Sequence, residues 1–333
     1  MKTLADNLQE DTSATGQPLL LSIVAPAYNE EEVLPEFHRR LSQVLHGLDI
    51  ACEIIYINDG SKDATATLLH AIQQDDPRVA IVDLSRNFGK EIAMTAGLDH
   101  AGGDAVVVID TDLQDPPELI PELVKHWREG YDDVYARRVS RDGESGIKRA
   151  TAHLFYRLLR MLSNVDIPPD TGDFRLLSRR AVNALKQLRE QHRFMKGLFT
   201  WVGFERKAVL YKRDPRGAGK SKWNYWRLWN LALEGITSHT TVPLRLASYL
   251  GVTVALFAFF YALYLVYDKL VHGNSVAGYP SLMVAILFLG GVQLVTLGVI
   301  GEYLGRMFDE SKRRPLYFIK NYSPASTAKK TKH

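Results

Sequence analysis

The segment Val106-Val-Val-Ile-Asp110-Thr-Asp-Leu-Gln114-Asp-Pro-Pro117 decides the fold. A run of β-branched residues that stops abruptly at two carboxylates two positions apart reads as a buried strand ending in a polar loop. Working outward, similar short runs fall at Leu19–Ala25, Cys52–Asn58, Val79–Leu84, and Asp133–Ala136, with the central one at Ala105–Asp110. Helical patterns lie between them at Pro35–Leu48, Ala64–Gln74, Glu91–Ala101 and Glu118–Glu129. Strands alternating with helices of this length predict βαβ units around a mostly parallel sheet. In such sheets ligands bind outside the carboxyl ends of the strands, so the residues just after each run are the candidates for chemistry.

Four segments stand at such ends: Ala25-Pro-Ala-Tyr-Asn-Glu-Glu31, Ile57-Asn-Asp-Gly-Ser-Lys-Asp63, Asp110-Thr-Asp-Leu-Gln-Asp-Pro-Pro117 and Thr171-Gly-Asp-Phe-Arg175. Each alone has an ordinary explanation. Asn-Asp-Gly-Ser is also a common turn followed by a helix cap at Ser61 or Asp63, and Asp110 and Asp112 also suit a turn. Together they predict a site. Asp110, Asp112 and Gln114 cluster oxygen ligands in the way that suits Mg²⁺ or Mn²⁺, cations that keep some waters and bridge to substrate phosphates. Other chemistries lack their marks. No Gly-x-Gly-x-x-Gly follows the first strand, and no His-Glu-x-x-His occurs. Gly219-Lys220-Ser221 resembles the end of a phosphate-binding loop, but Asp214 occupies the position of its first glycine.

The 333 residues carry 41 Lys and Arg against 38 Asp and Glu, a net charge of +3, which sets up no global field for nucleic acid. A single cysteine, Cys52, excludes an intrachain disulfide. The polar residues 1–18 read as a flexible tail rather than a signal peptide. The mean hydropathy of −0.13 averages two unlike parts. Leu246–Tyr267 is 22 residues without a charge, and Gly273–Gly301 is 29. Either is long enough to cross a bilayer, which needs about 20 apolar residues. Arg245 precedes the first run, and Arg306, Lys312, Arg313 and Arg314 follow the second. The excess of positive charge at the outer flanks predicts that both termini and the catalytic domain are cytoplasmic. Before the first span, Lys222-Trp-Asn-Tyr-Trp-Arg-Leu-Trp229 places three of five tryptophans within seven residues, a pattern for a helix lying in the membrane interface or packed on the domain.

The four segments, in this order and spacing, resemble family 2 glycosyltransferases of the GT-A (Rossmann-like) fold, in particular the polyprenyl-phosphate branch of bactoprenol and dolichyl-phosphate sugar transferases. The likeness covers about Leu19–Arg314. It implies a GT-A domain at 19–215, interfacial helices at 216–244, membrane helices at 245–267 and 281–304, an external connector at 268–280 and a basic cytoplasmic tail at 305–333. It implies that Pro26, Tyr28, Glu30 and Asp59 hold the nucleoside, that Lys90 of Asn87-Phe-Gly-Lys90 contacts the nucleotide, and that Asp110, Asp112 and Gln114 serve metal and diphosphate. Arg138, Arg141 and Arg149 are implied for the acceptor phosphate, with Arg137 adjacent to the first. Arg216 and Lys222, in Arg216-Gly-Ala-Gly-Lys-Ser-Lys222, are implied to close over the donor.

The expected reaction is metal-dependent inverting transfer of a sugar, with glucose the first choice, from a UDP-sugar to undecaprenyl phosphate at the cytoplasmic face of the inner membrane. Asp112, Asp115 and Asp173 are the expected catalytic carboxylates. Asp173 is either a base or a loop-fixing partner of Arg175 or another arginine. The alternatives are other sugars (GlcNAc, GalNAc, mannose or an aminoarabinose type), a sugar or diacylglycerol acceptor, and a non-catalytic membrane scaffold. The expected partners are the nucleotide sugar, the lipid, the membrane, a second copy of the chain, and a downstream flippase and periplasmic glycosyltransferase.

Overall fold

The structure is a computed structural model that describes residues 19–139, 171–211, 242–272 and 278–326. Eight strands form one sheet: β1 (Leu20–Ala27), β2 (Ala51–Asn58), β3 (Val79–Leu84), β4 (Ala105–Val108), β5 (Asp133–Arg138), β6 (Thr171–Ser178), β7 (Arg206–Tyr211) and β8 (Ile319–Ser323). Their spatial order is β7-β5-β6-β4-β1-β2-β3-β8. The pairs β1·β2, β1·β4, β2·β3 and β5·β7 are parallel, whereas β6 runs antiparallel to both β4 and β5 and β8 runs antiparallel to β3. The expected mostly parallel sheet is present. The central strands read as unbroken apolar runs because helices cover both faces.

On one face lie α1 (Leu34–His46), α2 (Thr65–Asp75) and α4 (Ile120–Arg128). Leu34, Phe37, Leu41 and Leu45 recur at helical spacing and turn one face of α1 into the core, with Pro35 in its first turn. On the other face lie α3 (Lys90–His100), α5 (Arg179–Gln187) and α6 (Met195–Trp201). A Cβ at Gly97 of α3 would lie 2.3 Å from Val24 Cγ1, so this helix sits directly on β1. Ser178 caps α5 by accepting from the Ala181 N–H at 3.3 Å.

Beyond this domain, α7 (Val242–His272) and α8 (Tyr279–Ser311) pack against each other. At 31 and 33 residues each is longer than the roughly 20 needed to cross a bilayer. The stretches apolar enough to do so are Leu246–Asp268 and Val284–Ser311, and none of either is buried within the protein. Both helices extend beyond the expected membrane segments, and residues 273–277 of the expected connector lie outside the described residues. The segment expected as a tail differs more. Residues 305–311 continue α8, and 319–323 form β8. The expected N-terminal tail and most of the interfacial segment lie outside the described residues.

Candidate active site

Strand β1 lies between β2 and β4, and the chain departs in opposite directions on its two sides. This is the switch point at which an α/β sheet opens a crevice at its carboxyl ends. The first two loops interlock there. Asn29 N–H donates to Ser61 Oγ at 3.1 Å, Glu30 N–H to Thr65 Oγ1 at 2.9 Å, and Lys62 N–H to Asn29 Oδ1 at 2.9 Å. Pro26, Tyr28, Glu30 and Asp59 thus share one rim. Tyr28 is exposed, Pro26 and Glu30 are half-buried, and Asp59 is buried.

Asp59 has a task the sequence did not reveal. Its two carboxylate oxygens accept the Phe88 N–H at 2.7 Å and the Gly89 N–H at 2.9 Å. Burial raises its carboxyl above the ordinary range while these two donors oppose the rise. Gly60 follows at φ +65°, and a Cβ there would meet the Arg86 carbonyl carbon at 2.5 Å, so the turn presses against the same loop. That loop delivers Lys90, the first residue of α3.

Lys90 bridges two carboxylates. Its Nζ donates to Asp110 Oδ2 at 2.6 Å and to Asp173 Oδ2 at 2.5 Å. The bridge follows from strand register. Val108 of β4 faces Arg175 of β6, and two more steps bring Asp110 opposite Asp173. Burial alone would pull the Lys90 ammonium down, but the two carboxylates hold it well above its usual value. Burial pushes Asp110 up to about 6 against the pull of Lys90. Asp173 is held well below the carboxylate range, because Lys90 and Lys196 outweigh its own burial. Glu91, beside Lys90, is lifted to about 7 by burial and by Asp173.

Strand β4 passes into a tight loop. Thr111 Oγ1 donates to the Pro26 carbonyl at 3.1 Å, and Asp112 Oδ1 accepts the Gln114 N–H at 3.0 Å. Leu113 between them takes the left-handed conformation, φ +60°, a cost tolerated at functional loops. Asp115 is buried and accepts the Tyr211 hydroxyl, which in turn accepts from Arg138 Nε at 3.3 Å. Of the adjacent arginines, Arg138 is therefore the one that reaches the site. Arg175 does not pair with Asp173. Its guanidinium binds Asp133 at 3.0 Å and stacks 3.9 Å over Phe199. Of the two roles open to Asp173, the partner is Lys90 instead. Arg141, Arg149, Arg216 and Lys222 lie outside the described residues.

The cluster alternates charge: Asp110, Asp112, Asp115 and Asp173 against Lys90 and Arg138. A hard divalent cation fits it. Asp110 and Asp112 offer two carboxylates at one loop, and Asp173 Oδ1 is buried without a hydrogen-bond partner among the described residues. Mg²⁺ and Mn²⁺ sites of this sort use one or two carboxylates and complete their shells with water and phosphate oxygens. No group of three His, Cys, Asp or Glu side chains forms a closed cage among the described residues, and such a site does not need one. Tyr211 and Glu91 went unread in the sequence because neither belongs to a motif. Only the strand pairing brings Tyr211 to Asp115.

The chain is similar to known proteins along most of its length. A family model described as glycosyl transferase family 2 matches residues 22–186, and one described as the GtrB C-terminal hairpin matches 242–307. An uncharacterized glycosyltransferase of Synechocystis sp. is 56% identical over 299 residues, covering 90% of this chain and 94% of the relative. The bactoprenol glucosyl transferase of Shigella phage SfV is 51% identical over 301 residues, covering 90% of this chain and 98% of the relative. Among solved structures, glucosyl-3-phosphoglycerate synthase from Mycobacterium tuberculosis, in complex with Mn²⁺, uridine diphosphate and phosphoglyceric acid, is 23% identical with a TM-score of 0.47. The match covers 66% of this chain and 76% of that one.

Proposed function

The chain belongs to glycosyl transferase family 2, and from that premise we propose that it transfers a sugar, glucose in the first instance, from a UDP-sugar to a polyprenyl phosphate at the cytoplasmic face of the membrane. The observation that carries this reading is the bridge of Lys90 between Asp110 and Asp173 at the carboxyl end of the sheet. It brings cationic and anionic side chains to the crevice where a nucleoside diphosphate would lie. The bactoprenol glucosyl transferase relatives and the two long apolar helices support a lipid acceptor.

Asp110 and Asp112, with Gln114 beside them, are the residues that would hold Mg²⁺ or Mn²⁺. Such an ion, when bound, supplies positive charge toward the departing diphosphate. The chain's own residues do the rest. Pro26, Tyr28 and Glu30 form the rim for the nucleoside, and Asp59 fixes the loop that presents Lys90. Lys90 provides a fixed cation at the diphosphate, where pre-set charge is most effective. Arg138, steadied by Tyr211 and Asp115, draws in the acceptor phosphate, joined by Arg141 and Arg149. Arg216 and Lys222 close over the donor.

The attacking atom is an oxygen of the acceptor phosphate. A phosphate monoester has its second pKa near 6 and is largely dianionic at neutral pH, so little help is needed from a base. Asp173, held ionised well below the usual range, is a poor proton acceptor and serves as the partner that aims Lys90. The oxygen bonds to the anomeric carbon as the bond to UDP breaks, with a single inversion of that centre.

The test uses the full chain in vesicles containing undecaprenyl phosphate, with labelled UDP-glucose and Mg²⁺ or Mn²⁺. Labelled lipid should form, and Asp112→Asn should abolish it. Full activity in that variant would overturn the site. A thermal-shift panel of nucleotide sugars identifies the donor, because a ligand that binds only the folded state raises its stability by mass action. If no nucleotide sugar is bound or transferred, the reading fails.

A further inference from the structure

The C-terminal strand β8 forms an attachment that the catalytic chemistry does not explain. It pairs with β3 through Ile81↔Ser323, Val82↔Tyr322, Asp83↔Asn321 and Leu84↔Ile319. Its apolar side chains bury little. Ile319 is 41% exposed and Tyr322 44%, and Phe318 just before the strand is 58% exposed. A strand that removes so little apolar surface from water adds little to the core. It is instead fastened by specific polar bonds. Gln73 Nε2 donates to the carbonyls of Ser323 and Val79, both at 3.0 Å, and the Tyr317 hydroxyl donates to Asp99 Oδ2 at 2.8 Å.

The end of α8 is fastened to the same side of the domain. Gln191 N–H donates to Glu310 Oε1 at 2.7 Å, Gln191 Nε2 to the Arg314 carbonyl at 2.6 Å, and His192 lies 3.3 Å from Asp309. A few residues on, the Met195 N–H donates to Glu91 Oε2 at 3.0 Å. Asp99 and Glu91 both belong to α3, the helix that presents Lys90.

The direction of β8 matters. Being antiparallel to β3, it enters at the Leu84 end, where Ser85 N–H donates to the Phe318 carbonyl at 2.9 Å. The link from α8 therefore joins the sheet at the carboxyl end of β3, on the edge that β8 forms. A domain tied at one point can swivel. One held both through β8 and through the end of α8 presents a fixed face.

We propose that β8 and the end of α8, fastened through Gln73, Tyr317 and Gln191, form a positioning element that holds the carboxyl-end face of the sheet toward the bilayer, so that a lipid-borne phosphate meets the site in register. This rests on the lipid-phosphate reading above. It adds that the C-terminal strand governs use of an acceptor anchored in the bilayer and leaves donor handling untouched. Holding reactants in the productive geometry is itself a large share of rate, and a swivelling domain loses that share only for an acceptor that cannot follow it.

The experiment compares the full chain with the Gln73→Ala, Gln191→Ala, Tyr317→Phe triple variant. Each is assayed with undecaprenyl phosphate in vesicles and with a short, water-soluble prenyl phosphate. The variant should lose at least tenfold in kcat/KM on the vesicle acceptor while its donor Kd and its rate on the soluble acceptor stay within twofold. Equal losses on both acceptors would make β8 merely structural, and no loss on either would remove its role; each overturns the proposal. Should the triple variant unfold, the same changes are made with Val82→Cys, Tyr322→Cys and Cys52→Ala, so that oxidation fastens the strand by a cross-link. Oxidation should then restore vesicle transfer, and folded, oxidised protein that stays impaired on vesicles alone overturns the proposal. If the unaltered chain transfers sugar to neither prenyl phosphate, the functional reading itself has failed, and the inference with it.

Discussion

The bond pair at Asp59 separates two accounts of that residue, one in which it serves the bound nucleoside and one in which it builds the loop. Asp59→Asn keeps the shape and removes the charge. One amide N–H can still donate to the remaining carbonyl oxygen, but the other faces an NH₂ group. Leaving a buried donor unsatisfied costs about 1–3 kcal/mol. Losing the charge assistance of the retained bond adds about 1 kcal/mol. The burial that lifts the Asp59 carboxyl offsets part of this, because the neutral amide escapes that penalty. The net is about 2 kcal/mol. For a domain of this size that lowers the melting temperature by about 4–8 °C. Thermal unfolding of the full chain measures it. Hydrogen exchange localises it, with faster exchange at the amides of Phe88 and Gly89, the two that lose their acceptor. A variant with unchanged melting and unchanged protection at those amides, but weakened donor binding, would refute the loop-building account and return Asp59 to a purely ligand-binding role.

Tyr211→Phe removes the hydroxyl that donates to the buried Asp115 and accepts from Arg138 Nε, so sugar transfer should fall about tenfold, the equivalent of one hydrogen bond to a charged group. Kinetics with varied acceptor should show the loss while donor affinity holds. Gly60→Ala meets both a left-handed backbone, at about 1–2 kcal/mol, and the Arg86 backbone, so melting should drop with donor affinity. A stable Ala variant with normal donor binding would contradict the close approach. Burial holds the His38 imidazole below its ordinary value, and nearby Asp76 only partly restores it. The folded state therefore keeps this ring neutral where the unfolded chain protonates it, and stability should fall as pH drops through about 6.5 toward the lowered folded value. Urea midpoints between pH 7.5 and 5.5 should show a shallower decline in His38→Gln, and an identical decline would dismiss His38 as a contributor.

The sequence disclosed the parts of this protein whose physics is local. β1 to β4 are buried on both faces, so each is an apolar run with turn residues at its end, and the acidic segment at Asp110 follows directly from where β4 stops. Strand β6 was legible only as a polar motif. All of Thr171–Ser178 is buried, yet it contains Asp173 and Arg175, charges that look like loop until their partners Lys90 and Asp133 arrive from distant positions. Strand β8 was not legible at all. Ile-Lys-Asn-Tyr-Ser is short, polar and set in a basic stretch, and nothing in it demands a sheet. It is a strand because the edge of β3 offers unpaired backbone groups that a passing chain can satisfy. The same reason explains Lys90. Its residue type suggested a contact with an anionic ligand, but its place between Asp110 and Asp173 depends on the register of β4 against β6. A motif can specify which groups a site needs. The pairing of strands far apart in sequence decides which of them meet, and in this protein that pairing extends from the central carboxylates to the C-terminal strand at the edge.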